Sequence, residues 1–121
     1  GGSFEEIMAN LTAAYPQTGI LLTLGSDGAW FHDGERDIRM GCAKVPHVVD
    51  TTAAGDTFLG YFLAGMLDKM DPAQALRRAT YASALTIQSP GAADSIPTVD
   101  QVEAVMAAGT LGELAVQDNQ A

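Results

Sequence analysis

The sequence predicts a three-layer α/β protein, and three observations carry that prediction. Gly19-Ile20-Leu21-Leu22-Thr23-Leu24 is a short, continuous apolar run of the kind expected for a strand buried on both faces. Apolar stripes at helical spacing stand on either side of it, at Ile7, Leu11 and Ala14 and again at Phe58, Leu59, Phe62, Leu63, Met66 and Leu67. Cap and turn residues separate these segments, with no internal repeat, low-complexity tract or linker. At 121 residues the chain has room for one compact core.

The elements follow in order. Ser3-Phe4-Glu5-Glu6 is a capping box that opens the first helix, and Pro16 and Gly19 end it. After the strand, Gly25-Ser26-Asp27-Gly28 turns into Ala29-Trp30-Phe31-His32, where Trp30 and Phe31 are expected to pack. Asp33-Gly34 favours a hairpin, with Glu35 to Met40 as its return strand and a further strand around Val48 and Val49. A helix begins near Gly55-Asp56, and Gly60, Ala64 and Gly65 permit close packing along it. Asp71-Pro72 caps an alanine-rich helix that Pro90-Gly91 breaks. Thr98-Val99-Asp100-Gln101 is a second capping box, and Gly109 suits the helix end. The tail from Thr110 to Ala121 is weakly patterned and is expected to fray.

Composition excludes several classes. A net charge of −9 disfavours nucleic acid and anionic membranes as partners. No apolar run approaches the roughly 20 residues of a membrane helix, and Gly1 to Glu6 lack the features of a signal peptide. The single cysteine, Cys42, has no internal partner, fits a reducing cytoplasm and is expected to pack. No Cys/His group has zinc spacing. His32 is expected at the surface, and Arg77 and Arg78 on a solvated helix face.

The segment from Val48 to Phe62 carries the chemistry. An apolar strand ends at Asp50, small residues follow, and Gly55-Asp56 leads into an amphipathic helix. Small residues let a backbone approach a ligand, and the first helical turn offers free N–H groups and partial positive charge. Strand, loop and helix N-terminus together make an anion site. Gly-Lys-Ser/Thr is absent, which excludes a Walker A loop. Spacing leaves two readings open at Asp56: a helix-capping carboxylate, or one aimed into the anion pocket.

Val49-Asp50-Thr51-Thr52-Ala53-Ala54-Gly55-Asp56-Thr57-Phe58 closely resembles the second signature of the ribokinase/PfkB family of carbohydrate kinases. Thr23-Leu24-Gly25-Ser26-Asp27-Gly28-Ala29 resembles the family's nucleotide strand, and Pro90-Gly91-Ala92 with Ser95-Ile96-Pro97 resembles the segment that closes the site. The resemblance runs from Ser3 to Ala108. It implies a ribokinase-like, Rossmann-like fold of which this chain holds the C-terminal part: residues 1–109 as the nucleotide-binding and catalytic portion, residues 110–121 as the tail.

The resemblance implies roles residue by residue. Asp56 would be the general base, and the backbone N–H groups of Ala53, Ala54, Gly55 and Asp56 an anion hole for the transferring phosphoryl group. Thr23, Gly25 and Gly28 would lie near the nucleotide, with Thr80 beside the adenine. Asp50, Thr52, Thr86, Ser89, Gly91 and Ser95 match positions around a monovalent cation, with K+ the candidate, held largely through backbone oxygens. ATP with Mg2+ and a small sugar would be the ligands, as in a ribokinase or fructokinase. A homodimer of the full-length protein is left open. Because ATP is an anion, a chain at −9 must bind it locally, and a cation would offset part of that field.

Family members are more than twice this length. Their other portion supplies most sugar contacts, a lid and an Asn-x-x-Glu motif linked to magnesium, which this sequence lacks. The chain alone is therefore expected to turn over sugar poorly or not at all. A nucleoside kinase of the same superfamily and a non-catalytic nucleotide-binding fragment are the alternatives.

Overall fold

A computed structural model describes residues 3–23, 28–42, 54–87, 97–109, 114 and 116–120. In chain order the elements are α1 (Phe4–Ala14), β1 (Ile20–Thr23), β2 (Ala29–His32), β3 (Arg36–Met40), α2 (Ala54–Leu67), α3 (Pro72–Ile87), α4 (Val99–Ala108) and β4 (Val116–Gln120). The chain divides into two units, Gly1–Gly41 with Val116–Ala121, and Cys42–Ala115. Sequence length suggested one core; each unit has an apolar cluster of its own. Among the described residues no helix is long and apolar enough to cross a membrane.

In the first unit, the Ser3 side chain accepts from the Glu6 N–H at 3.2 Å, and Glu5 and Glu6 place negative charge at the positive end of α1. The helix buries Met8, with Leu11 against the same cluster, on Ile20, Leu22 and Trp30. Ile7 and Ala14, expected on the inner face, are exposed. The helix offers two overlapping apolar stripes, and the shape of the sheet surface selects the one through Met8.

The four strands form one antiparallel sheet in the order β1-β2-β3-β4. Its period of two sends Ile20, Leu22 and Trp30 to the α1 face, and Ala29, Phe31, Ile38 and Met40 to the other, where all four are buried. The β2–β3 turn is built by Asp33, whose carboxylate accepts from the Glu35 and Arg36 N–H groups at 2.7 and 2.6 Å. The tail departs from its expected fraying. Val116 to Gln120 pair with β3, although Asp and Asn are poor strand formers. What holds them is the ladder itself and the Arg36 guanidinium, which reaches the Asp118 carboxylate at 2.7 and 3.3 Å. That long-range pairing has no local sequence signal.

In the second unit, α2 and α3 pack closely at Gly65, where an added Cβ would meet the Ala75 Cβ at 2.9 Å. Leu59, Leu63 and Leu67, expected in the apolar stripe of α2, are exposed at 46%, 51% and 84%, while Phe58 and Phe62 are buried. A Schellman arrangement ends α2: Met70 N–H donates to the Gly65 carbonyl, Lys69 N–H to that of Met66, and Lys69 takes φ 61°. Asp71 caps α3 by accepting from the Ala73 N–H at 3.0 Å. The capping box of Thr98 and Gln101 opens α4 and left-handed Gly109 closes it, both as expected. Tyr81, Ala82, Ala84 and Val102 form the core here. Arg78 is half-buried, not solvated: its guanidinium lies 5.8 Å from the Tyr61 ring. Cys42, expected to pack, is exposed.

Candidate active site

The N-terminal turn of α2 places the candidate residues. Ala54, Gly55 and Asp56 are its first three residues, and in an α-helix the first four N–H groups have no intrahelical acceptor. Gly55 and Asp56 are exposed and Ala54 half-buried, whereas Thr57 and Phe58 turn into the core at 3% and 8% exposure. The helix thus buries one side of its first turn and keeps Gly55 and Asp56 on the open side. Asp56 is the third residue of the helix, past the cap position that one sequence reading gave it. At Gly55 an added Cβ meets nothing within 4 Å, so neither crowding nor a left-handed backbone requires glycine there.

α3 fastens this turn through two hydroxyl contacts. Ser83 Oγ donates to the Ala54 carbonyl at 3.2 Å. Three residues on, the Thr86 and Thr57 hydroxyls lie 3.2 Å apart, and Thr86 also donates to the Ala82 carbonyl at 3.1 Å. A hydroxyl has one proton, so Thr86 serves either the Thr57 oxygen or the Ala82 carbonyl at any moment. Sequence reasoning matched Thr86 to a cation position and missed Ser83 and Thr57. The available signal was the spacing, since Ala54/Thr57 and Ser83/Thr86 are both i, i+3 pairs that share a helix face.

The other expected site residues divide three ways. Thr80 is buried at 6% and its hydroxyl bonds back to the Leu76 carbonyl at 2.8 Å, so this side chain belongs to the helical core. In the first unit, Thr23 ends β1 and is exposed, opposite Ala29 in the ladder. Gly28 has φ 97°, and a Cβ there would come within 1.9 Å of the Met40 carbonyl, so glycine is required sterically. Gly25, Asp50, Thr52, Ala53, Ser89, Gly91 and Ser95 lie outside the described residues, and so does the expected strand around Val48 and Val49. Thr86 is therefore the one described member of the expected cation set. Among the described residues no group of three or more His, Cys, Asp or Glu side chains is gathered for a metal.

The first unit holds a cluster the sequence did not reveal. Asp37 accepts from Trp30 Nε1 at 2.5 Å and lies 3.3 Å from His32 Nδ1, so His32 is half-buried and partnered, not simply surface. Arg39 stacks 3.7 Å from the Trp30 ring and reaches Glu5 at 3.2 Å. Hydrogen bonding to its own backbone N–H, then to Arg39, lowers the Glu5 carboxyl below its ordinary value. An open groove beside this cluster is lined by Glu5, Asp37, His32, Thr12 and apolar side chains. Two carboxylates make it a poor place for phosphate.

Residues 2–99 match the model of the pfkB family of carbohydrate kinases. The chain is 42% identical over 85 residues to a ribokinase of Lactococcus lactis, an alignment covering 70% of this chain and 28% of that protein. It is 38% identical over 84 residues to a ribokinase of Schizosaccharomyces pombe, covering 69% of this chain and 26% of that one. The structure of Arabidopsis thaliana ribokinase complexed with ribose and ATP superposes with a TM-score of 0.79 at 31% identity, over 86% of this chain and 34% of that one. This chain therefore spans about a quarter to a third of these relatives' length, and its helices and antiparallel sheet are part of a ribokinase-like fold. From Gly2 to Val99, and in the fold that those residues build, the chain belongs to the pfkB family of carbohydrate kinases.

Proposed function

We propose that this chain forms the phosphoryl-transfer end of an ATP-dependent sugar kinase of ribokinase or fructokinase type, working in the cytoplasm, with Asp56 as general base. The observation that carries the reading is the exposure of Gly55 and Asp56 on the first turn of α2, beside N–H groups that have no helical acceptor. An acceptor hydroxyl would lose its proton to the Asp56 carboxylate as its oxygen attacks the γ-phosphorus, and the bond to the leaving ADP oxygen would break. The N–H groups of Ala53, Ala54, Gly55 and Asp56 would meet the charge gathering on the equatorial oxygens. The open space at Gly55 leaves room for that close approach.

Thr23 and Gly28, by family resemblance, would serve the nucleotide; Thr80 would do so only through the backbone or a rearranged side chain. Mg2+ would arrive with ATP and offset its charge. A monovalent cation beside Asp50, Thr52, Thr86, Ser89, Gly91 and Ser95 would add to that effect, and activation by potassium over lithium at fixed ionic strength would support it.

The test is sugar-dependent ADP release by an intact kinase carrying this chain, with ribose, fructose and a nucleoside as acceptors. Release with a sugar supports the proposal. ATP binding without release for any acceptor, or release with the nucleoside alone, overturns it. The 121-residue chain by itself is expected to show little or no release.

A further inference from the structure

We infer that Ser83 is a positioning residue for phosphoryl transfer, acting through the Ala54 carbonyl to fix the direction of the Gly55 N–H. The inference rests on the proposed kinase reading of the α2 N-terminus.

The Ala54 carbonyl and the Gly55 N–H belong to one peptide group, which is planar and trans. Its C=O and N–H point in opposite directions, so a bond that holds the oxygen also aims the hydrogen. Ser83 Oγ donates to that oxygen at 3.2 Å. The opposite end of this peptide is one of the N–H groups left without a helical acceptor at the start of α2.

Gly55 is where such a restraint has an effect. Glycine is the residue least confined in φ and ψ. Here it has no steric neighbour at its Cβ position, and it is exposed. The peptide that precedes it has one restraint from the helix itself, since the Ala54 carbonyl at the start of α2 accepts the Phe58 N–H in the i→i+4 pattern, and Ser83 adds a second. The hydroxyl contacts of α3 fall on both sides of this exposed segment: Ser83 on Ala54, and Thr86 on Thr57. Ser83 and Thr86 share a face of α3 by their i, i+3 spacing, as Ala54 and Thr57 do on α2. The Gly55-Asp56 segment is thus flanked by a backbone contact at Ala54 and a side-chain contact at Thr57, both from a neighbouring helix, while its open side stays clear for a ligand.

The energetic logic is that an anion-hole donor acts only when aimed where charge develops. Loss of one such donor costs on the order of 10²- to 10³-fold in turnover. A donor that is kept but held by one bond fewer should cost less than its loss, about tenfold.

The experiment uses an intact kinase carrying this chain, with Ser83→Ala, Ser83→Thr and Asp56→Asn assayed together. Alanine is a strong helix former, so Ser83→Ala is expected to fold, and thermal melting checks it. The expected result for Ser83→Ala is kcat lowered about tenfold with KM for ATP nearly unchanged, measured well below the melting temperature, since the donor matters most in the transition state. Ser83→Thr, which keeps a hydroxyl on the same carbon, should recover most of the loss. A Ser83→Ala enzyme with wild-type kcat overturns the inference. So does a fall that tracks melting temperature, or one that Ser83→Thr fails to recover. Loss of turnover in Asp56→Asn alongside wild-type Ser83→Ala rejects the Ser83 role alone. Wild-type turnover in Asp56→Asn rejects the kinase reading of the turn.

Discussion

The Thr57 and Thr86 hydroxyls lie 3.2 Å apart with both residues nearly withdrawn from solvent, at 3% and 1% exposure. Their contact joins α2 to α3 on the buried side of the same helical turn that carries Gly55 and Asp56, and it is asymmetric. Thr86 retains the Ala82 carbonyl as acceptor whatever Thr57 does. Thr57→Val should therefore cost about 1 kcal/mol, one ordinary hydrogen bond. Thr86→Val takes away the partner of the buried Thr57 hydroxyl, which should cost more, about 1–3 kcal/mol. Denaturant melts of the two variants check the order. Equal losses would mean that Thr57 finds another acceptor.

Much of this architecture is legible in local sequence. The caps at Ser3, Asp71 and Thr98 each follow from a side chain acting within a few residues of itself, and the stop at Gly109 from the left-handed backbone that glycine allows. The Asp33 turn does too. The misses are long-range. Whether α1 buries Ile7 or Met8 depends on a sheet surface that propensity does not describe. β4 forms although Asp118 and Asn119 are weak strand residues, because β3 offers an edge and Arg36 a charge. At the candidate site, Gly55 and Asp56 stand out by their place between small residues and an amphipathic helix. Ser83 does not, because its i, i+3 spacing with Thr86 marks a shared helix face but not the α2 carbonyl that lies opposite.

Lys69 closes α2 in the left-handed region at φ 61°, which a side chain with a Cβ adopts at a cost of about 1–2 kcal/mol. Its side chain is exposed, so little packing is lost on truncation. Lys69→Gly should keep the Met70-to-Gly65 and Lys69-to-Met66 backbone bonds and relieve the strain. Glycine's greater freedom in the unfolded chain takes back part of the gain. A net stabilisation of about 0.5–1 kcal/mol is expected from thermal melts. A neutral or destabilising result would show that Lys69 makes a favourable interaction at this helix end.

Tyr61 donates its hydroxyl to the Pro97 carbonyl and stands half-buried near Arg78. Burial raises its pKa above the ordinary 10.0, against a smaller lowering by the Arg78 guanidinium. The sign follows directly. As pH rises past 10.0 the unfolded chain releases this proton first, so the stability it contributes is complete below that pH and is lost above it. Tyr61→Phe should lower stability at neutral pH by about 1 kcal/mol for the missing hydrogen bond. It should also flatten the fall of stability on the alkaline side. An alkaline limb as steep in Tyr61→Phe as in the parent would assign that limb to other groups.

Asp56 stands third in α2 on its open side, and its proposed role separates from a merely structural one by a single substitution. Asparagine matches aspartate in size and accepts a hydrogen bond, so the helix turn and its N–H groups should survive Asp56→Asn. Loss of the negative charge near the helix N-terminus should cost only about 0.3–1 kcal/mol of stability. Asparagine has no carboxylate to take the acceptor's proton. In an intact kinase carrying this chain, losing a general base should lower phosphoryl transfer on the order of 10²- to 10⁴-fold. That range is about 3–5.5 kcal/mol of barrier. ATP affinity should hold, because the backbone donors remain, and removal of a negative charge would tighten binding of an anion if it changed it at all. A carboxylate that only supported the helix would give the reverse pattern, with turnover kept and stability slightly reduced. Single-turnover rates and ATP titrations on one preparation decide between the two. Turnover within about threefold of the parent would remove Asp56 from proton transfer, since no general base of the usual strength contributes so little.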